Sequence, residues 1–343
     1  MDLKYNNKIN NNSNMPTRKK SPPSALGRRD VFLFVCALVV GILLSTINFS
    51  EPDPLLPFDP KCLKADLRKS LFGQHIVSKV VLKAVTSFMT DSKPNKPLVL
   101  SFHGTTGVGK NHITKIIARN VYKKGENCKH VHTFISEHHF PHKEKSDLYS
   151  AQLKQWIHGN VSSFPRSMFI FDEMDKMHPQ LIDVIKPFLD YNARVDGVSF
   201  HNAIFVFLSN AGGKVIAEVA LDFWREGKDR EKLWLNSKEL ETKISQNIFS
   251  DKNSGFLHSS LINHHLIDHY VPFLPLELKH VRKCVLAEMV HLNMIQDFDL
   301  ADEVAREMPY FPEEERIFAV KGCKSVRQKL ELYDDDSGEF TDY

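Results

Sequence analysis

His103-Gly104-Thr105-Thr106-Gly107-Val108-Gly109-Lys110-Asn111 decides how this 343-residue chain is read. The spacing G-x-x-x-x-G-K describes a backbone that turns with its N–H groups converging, so that successive amides and one ammonium surround a chain of phosphates. A helix beginning near Asn111 would add its positive end to the same anion. The expected cradle is therefore Gly104, Thr105, Thr106, Gly107, Val108, Gly109, Lys110 and Asn111. Asn111 stands where such loops carry a hydroxyl residue. Its carboxamide oxygen can ligate a magnesium ion or a bound water, but from a longer side chain.

The flanks supply the context that the loop requires. Leu98 to Phe102 is a short apolar run suited to a buried strand, and Ile113, Ile116, Ile117 and Val121 recur at helical spacing. A second strand, Ser167 to Glu173, ends in two adjacent carboxylates in the manner of a Walker B strand. Asp172 would hold Mg²⁺ with Asn111, directly or through water, and Glu173 would orient and deprotonate the water that attacks the γ-phosphate. A third run, Ala203 to Asn210, ends in an amide, and Asn210 is the candidate to hold that water or the γ-phosphate. ATP and Mg are the ligands this set implies. A P-loop kinase or GTPase fits less well, because no guanine-reading Asn-Lys-x-Asp stands on a suitable loop and the acidic pair suits attack by water.

At 42% hydrophobic residues the chain can bury a large core, and its net charge of +3 says little about partners and points to no nucleic-acid role. Residues 1–30 carry seven basic side chains against two acidic ones and are expected to be a disordered cytosolic tail. Val31 to Phe49 holds no charge across nineteen positions. As a helix it would rise roughly 28 Å, close to the thickness of a bilayer's hydrocarbon. Lys and Arg on its amino-terminal side favour a type II membrane anchor, or else a removed signal, with the remainder in a lumen. Residues 50–66 read as a linker with several prolines, 67–274 as a large α/β domain, 275–333 as a small helical domain and 334–343 as an acidic tail.

Within the large domain Ile76, Val80, Val81, Val85 and Phe88 mark a helix, His130 to Ser136 a strand, and Leu148–Ile157 and Pro179–Leu189 two more helices. Alternating β and α units imply a parallel sheet. After Pro275 the strands are expected to stop, leaving helices at Leu276–Met294, Leu300–Met308 and Ser325–Tyr333.

Placement in a lumen makes Asn160-Val161-Ser162 a candidate glycosylation site. Cys36 lies in the apolar span. Cys62, Cys128, Cys284 and Cys323 permit three pairings in an oxidising compartment. His138-His139-Phe140-Pro141-His142 and His264-His265-Leu266-Ile267-Asp268-His269 look like metal-ligand groupings, His265 and His269 sharing a helical face, but neither has zincin spacing. Trp156, Trp224 and Trp234 read as core or interface packing.

Taken together, Gly73-Gln74-His75, Gly109-Lys110-Asn111, Phe169 to Lys176, Leu208-Ser209-Asn210-Ala211-Gly212 and Lys321-Gly322-Cys323-Lys324 resemble the motifs of the torsins, luminal AAA+ ATPases related to Clp-type unfoldases. The resemblance runs from about Lys61 to Tyr333. It implies an AAA+ P-loop domain followed by a small helical domain, with Lys110 on the β- and γ-phosphates, Asp172 and Glu173 as Walker B, Asn210 as sensor 1 and Lys324 as sensor 2. It also implies that Cys323 is a redox-sensitive cysteine paired with Cys284, and that the protein resides in the endoplasmic reticulum and contiguous nuclear envelope. The Phe140-Pro141-His142 loop falls roughly where Clp-type unfoldases carry a substrate-gripping pore loop, without its glycine-flanked aromatic.

One absence weighs as much. Where Clp-type relatives carry an Asn-Arg-hydrophobic-Asp motif, this chain reads Asn263-His264-His265-Leu266-Ile267-Asp268, and no arginine occurs between Arg230 and Arg282. A neutral imidazole cannot replace the permanent cation that offsets charge on a γ-phosphate. Slow intrinsic turnover is expected, in a homo-oligomer or mixed ring. Membrane-anchored partners with luminal ATPase-like domains, of the lamina-associated and luminal-domain-like type, would supply the arginine. A nucleotide-dependent assembly scaffold is the other expectation.

Overall fold

The computed structural model describes residues 54–236, 242–243, 246 and 266–333. The basic tail, the Val31–Phe49 span, the Asn263-His264-His265 stretch and the acidic tail lie outside the described residues.

Helix α1 (Pro60–Ser70) starts inside the expected linker, because Asp59 caps it through a 2.8 Å bond from the Lys61 N–H and Pro60 occupies its first position. It buries Leu63 and Leu67. Helix α2 (His75–Thr90) presents Val77, Val81, Ala84, Val85 and Phe88 to the same core. Then come β1 (Leu98–His103), α3 (Lys110–Val121), β2 (Val131–Ile135), the single turn α4 (Ser136–His139), α5 (Ser146–Ser163) and β3 (Met168–Asp172). After these follow α6 (Pro179–Ile185), β4 (Ile204–Ser209), α7 (Gly213–Arg225) and β5 (His269–Pro272). Helix α6 passes into a 3₁₀ turn at Lys186–Phe188, where Pro187 has no N–H to continue the ladder.

The five strands run parallel in the order β2-β3-β4-β1-β5. Parallel strands need crossovers, and the helices of those crossovers cover both faces, so the strands read as near-continuous apolar runs. Alternation still sorts the two faces. Leu98, Leu100, Phe102, Ile170, Val206 and Leu208 join the core under α2 and α3, whereas Val99, Phe169, Phe171, Phe205 and Phe207 join the core under α5 and α6. On the second face rings stack across neighbouring strands, Phe169 on Phe205 at 5.1 Å and Phe134 on Phe171 at 5.2 Å. Pairing of His103 with Ser209 and of Phe171 with Phe207 brings the carboxyl ends of β1, β3 and β4 level along one edge. That edge is where parallel α/β sheets place ligands.

The small domain holds α8 (Leu278–His291), α9 (Phe298–Glu307) and α10 (Val326–Glu331). It also contains an antiparallel pair, β6 (Tyr310–Phe311) with β7 (Phe318–Ala319), so the expectation that strands stop after Pro275 is corrected. Strands of two residues leave no periodicity to read. Cys284 on α8 and Cys323, just before α10, form a disulfide, while Cys62 and Cys128 are free thiols.

Candidate functional site

The loop between β1 and α3 lies on the strand-end edge. Gly107 has φ +75° and Gly109 +104°, left-handed values that favour glycine. A Cβ at Gly107 would also stand 1.9 Å from the carbonyl oxygen of Lys321, and one at Gly322 would stand 2.3 Å from that of Gly107. The small domain thus rests its 321–324 turn directly on the loop, with the Cys323 N–H donating to the Gly107 carbonyl at 3.0 Å.

Lys110 opens α3 and is buried. Its ammonium donates to Gly104 O at 2.7 Å, Thr105 O at 2.8 Å and Asn210 Oδ1 at 2.9 Å. Burial pulls its pKa down to about 8, against the opposing pull of Asp172 and Asp175. Asn111 donates through Nδ2 to Asp172 Oδ2 at 2.7 Å, which leaves its Oδ1 beside a carboxylate as a pair of hard oxygen donors. Asp172 Oδ1 accepts from the Glu173 N–H at 2.9 Å.

One cleft of about 630 Å³ collects Thr106 to Asn111, Asp172, Glu173, Asn210, Cys323 and Lys324. Gly104 and Thr105 do not line it and serve through their carbonyls, and the buried Thr105 Oγ1 has no partner. Leu71, Phe72, Leu276, Ala287 and Val326 supply an apolar end. Room for a nucleotide, a cationic loop with converging amides and an Asp–Asn oxygen pair fit a nucleoside triphosphate with its magnesium ion.

Three side chains without an assigned role in the sequence reading hold this set in place. Gln74, buried, donates to Val108 O at 3.1 Å and Leu274 O at 2.8 Å and accepts from the Leu274 N–H at 2.9 Å, tying the loop to the exit of β5. Asp175 accepts from Ser209 Oγ and from the Asn210 N–H at 3.0 and 2.9 Å, which fixes the end of β4. Lys176 reaches Glu173 Oε1 at 3.2 Å. A polar Gln before an apolar helix and an acid–lysine pair one residue after Asp172-Glu173 were the available signals.

The remaining expected residues lie apart from the cleft. Asn160 is half-buried on the last turn of α5 and donates to Trp156 O at 2.8 Å. Trp156 and Trp224 are surface residues rather than core ones. His269 begins β5, a strand, so it shares no helical face with His265, which lies outside the described residues.

A family model described as Torsin matches residues 48–171, and one described as Torsin-1A, C-terminal domain, matches residues 276–333. Together they span just over half of the chain. Among solved structures, the S. cerevisiae Hsp104-ADP complex aligns with a TM-score of 0.57 at 18% identity, covering 88% of this chain and 50% of that one. The closed-state cryoEM reconstruction of Hsp104 with ATPγS and FITC casein aligns with a TM-score of 0.57 at 18% identity, covering 86% and 49%. The present chain therefore spans about half the length of those chains, and at such identity the likeness is one of fold: a parallel sheet flanked by helices, with a helical carboxy-terminal region.

Proposed function

The chain belongs to the torsin family, and on that premise we propose that it binds ATP with magnesium in the strand-end cleft and hydrolyses it slowly. The observation that carries this is the convergence of Lys110, Asn210, Asp172 with Asn111, and Glu173 on one cleft, with Lys324 brought in from the small domain. The three acceptors now held by the Lys110 ammonium are those that phosphate oxygens would replace. Asp172 and the Asn111 amide oxygen would hold the magnesium ion, which neutralises charge on the β- and γ-oxygens. Glu173 would orient the water and take its proton, and Asn210 would hold the water or the γ-phosphate.

The finer reading is a luminal protein of the endoplasmic reticulum and nuclear envelope, anchored by Val31–Phe49, glycosylated at Asn160 and acting on proteins or membranes. An arginine from a membrane-anchored partner would complete the site. The Cys284–Cys323 disulfide suits an oxidising compartment. The Asn263 to Asp268 sequence, without arginine, supports activation in trans. Measuring ATP affinity by calorimetry, and ATPase with and without the luminal domain of such a partner, tests both levels. Absent ATP uptake defeats the first, and brisk turnover alone defeats the second.

A nucleotide-dependent scaffold is favoured by one contact, the Cys323 N–H on Gly107 O, through which the phosphate loop touches the small domain. Glu173→Gln separates the two readings. A hydrolysing machine stops, and a scaffold keeps assembling.

A further inference from the structure

A second cavity, of about 240 Å³, opens where the large and small domains join and shares no residue with the nucleotide cleft. Phe223 and Trp224 of α7 and Phe318 of β7 give it aromatic walls. Lys228, Arg230 and Lys279 bring three cations to it, against the carboxylates of Asp229 and Glu277. Glu277 answers two of those cations at once, with Oε1 3.2 Å from Arg230 Nη1 and Oε2 2.7 Å from Lys279 Nζ. Lys228 lies over the Phe223 ring, 5.2 Å from its centroid, and pairs with Glu226 only at the surface, where such a pair is weak. Arg230 is 10% exposed, and its buried Nε–H meets no acceptor among the described residues. Trp224, by contrast, is 44% exposed. An open aromatic wall beside positive charge in excess fits a ligand that is both aromatic and anionic.

The chain itself carries such a stretch outside the described residues. Asp334-Asp335-Asp336-Ser337-Gly338-Glu339-Phe340-Thr341-Asp342-Tyr343 holds five carboxylates, two aromatic rings and no basic side chain. Its root lies close to the cavity. The Tyr333 hydroxyl donates to Glu307 Oε1 at 2.8 Å, at the end of α9. Three residues later comes β6, which pairs with β7, the strand that carries Phe318. From Tyr333 to Phe340 an extended chain reaches about 23–25 Å. A cavity of about 150 Å³ is enough to take up benzene, so the present one admits a phenyl ring.

We propose that this cavity is the docking site of residues 334–343, with the Phe340 ring against Trp224 and Phe318 and the carboxylates of Glu339 and Asp342 on Lys228, Arg230 and Lys279. The walls come from both domains, so docking ties the small domain, and Lys324 with it, to the large one. This goes beyond the ATP-binding reading and does not depend on it.

The test places a photoreactive benzoylphenylalanine at position 340 of the full chain, irradiates a mixture of isotopically heavy and light chains, and maps the adducts by mass spectrometry. Adducts should fall within one chain, on residues 220–230 and on Phe318. Their yield should drop about threefold with Lys228→Glu plus Lys279→Glu, and about threefold between about 0.05 and 0.5 M salt. Without the probe, Phe340→Ser should speed hydrogen exchange of the 220–230 amides about fivefold, and a synthetic 334–343 peptide should restore the protection. Adducts scattered over the surface, or exchange unmoved by Phe340→Ser, overturn the docking. Adducts at the cavity that join heavy to light chains assign it to a second copy and overturn the intrachain contact. Equal protection by an unrelated acidic peptide carrying one Phe makes the cavity a general site for acidic aromatic partners, and overturns the assignment to this segment.

Discussion

Two lysines face the same cleft from opposite domains, and they are prepared differently. Lys110 is buried on the large domain with its ammonium already engaged by three oxygens, while Lys324 on the small domain is exposed and has no side-chain partner among the described residues. The first is fixed by the fold before any ligand arrives. The second is positioned only by the turn that carries it, and that turn is held by the Gly107 contact and the Cys284–Cys323 bridge. Nucleotide grip is thus divided between a rigid half and an adjustable half.

The contrast breaks most directly at Lys110. Lys110→Ala removes three hydrogen bonds to a charged group, worth about 4 kcal/mol against phosphate, so ATP affinity should fall ~1,000-fold. Calorimetry showing a change below tenfold would remove the rigid half from the account.

The adjustable half is probed next by replacing Cys284 and Cys323 with serine. The bridge spans 39 residues, and its loss should cost about 2–4 kcal/mol of stability, concentrated in the small domain. Hydrogen exchange should show α8 and α10 opening while β1, β3 and β4 stay protected. Uniform loss of protection would mean that the two halves unfold together.

Lys324→Ala sharpens the comparison at lower cost. It should weaken ATP about tenfold, roughly 1.4 kcal/mol, with no change in melting temperature, because the side chain is exposed and has no side-chain partner among the described residues. A fall in melting temperature without a change in affinity would assign Lys324 a structural role instead.

The last effect concerns pH and lies wholly in the rigid half. His103, at the end of β1, is fully buried between Ser101 Oγ at 2.6 Å and the Ala211 carbonyl at 3.2 Å, and burial pulls its pKa down to about 3 despite that carbonyl. The unfolded chain therefore takes up the proton first. Stability contributed by this residue is complete above about pH 6.5 and is lost on acidification toward pH 3, by at most ~1.4 kcal/mol per pH unit. Chemical denaturation at pH 7 and pH 5 should show the fall, and a His103→Gln chain should show a shallower one; equal slopes would clear His103 of responsibility.

Much of this was visible in the primary structure, for a local reason. The loop at 104–111, the acidic end of β3 and the amide after β4 are each set by neighbours in sequence, through glycine conformations, strand runs and the order strand, loop, helix. Chain order also gave the parallel sheet, since alternating β and α units allow little else. Sequence could not show Gln74 bonded to Leu274 across 200 positions, Asp175 holding Asn210, the β6–β7 pair, or the 321–324 turn seated on Gly107. Cysteine count alone left three disulfide pairings open, the resemblance implied Cys284 with Cys323, and the folded chain brings α8 beside Cys323 to form that bridge. Local motifs state which atoms a phosphate would meet, because backbone dihedrals and adjacent side chains fix them. How firmly each atom is held depends on partners far along the chain, and packing alone decides which of those arrive.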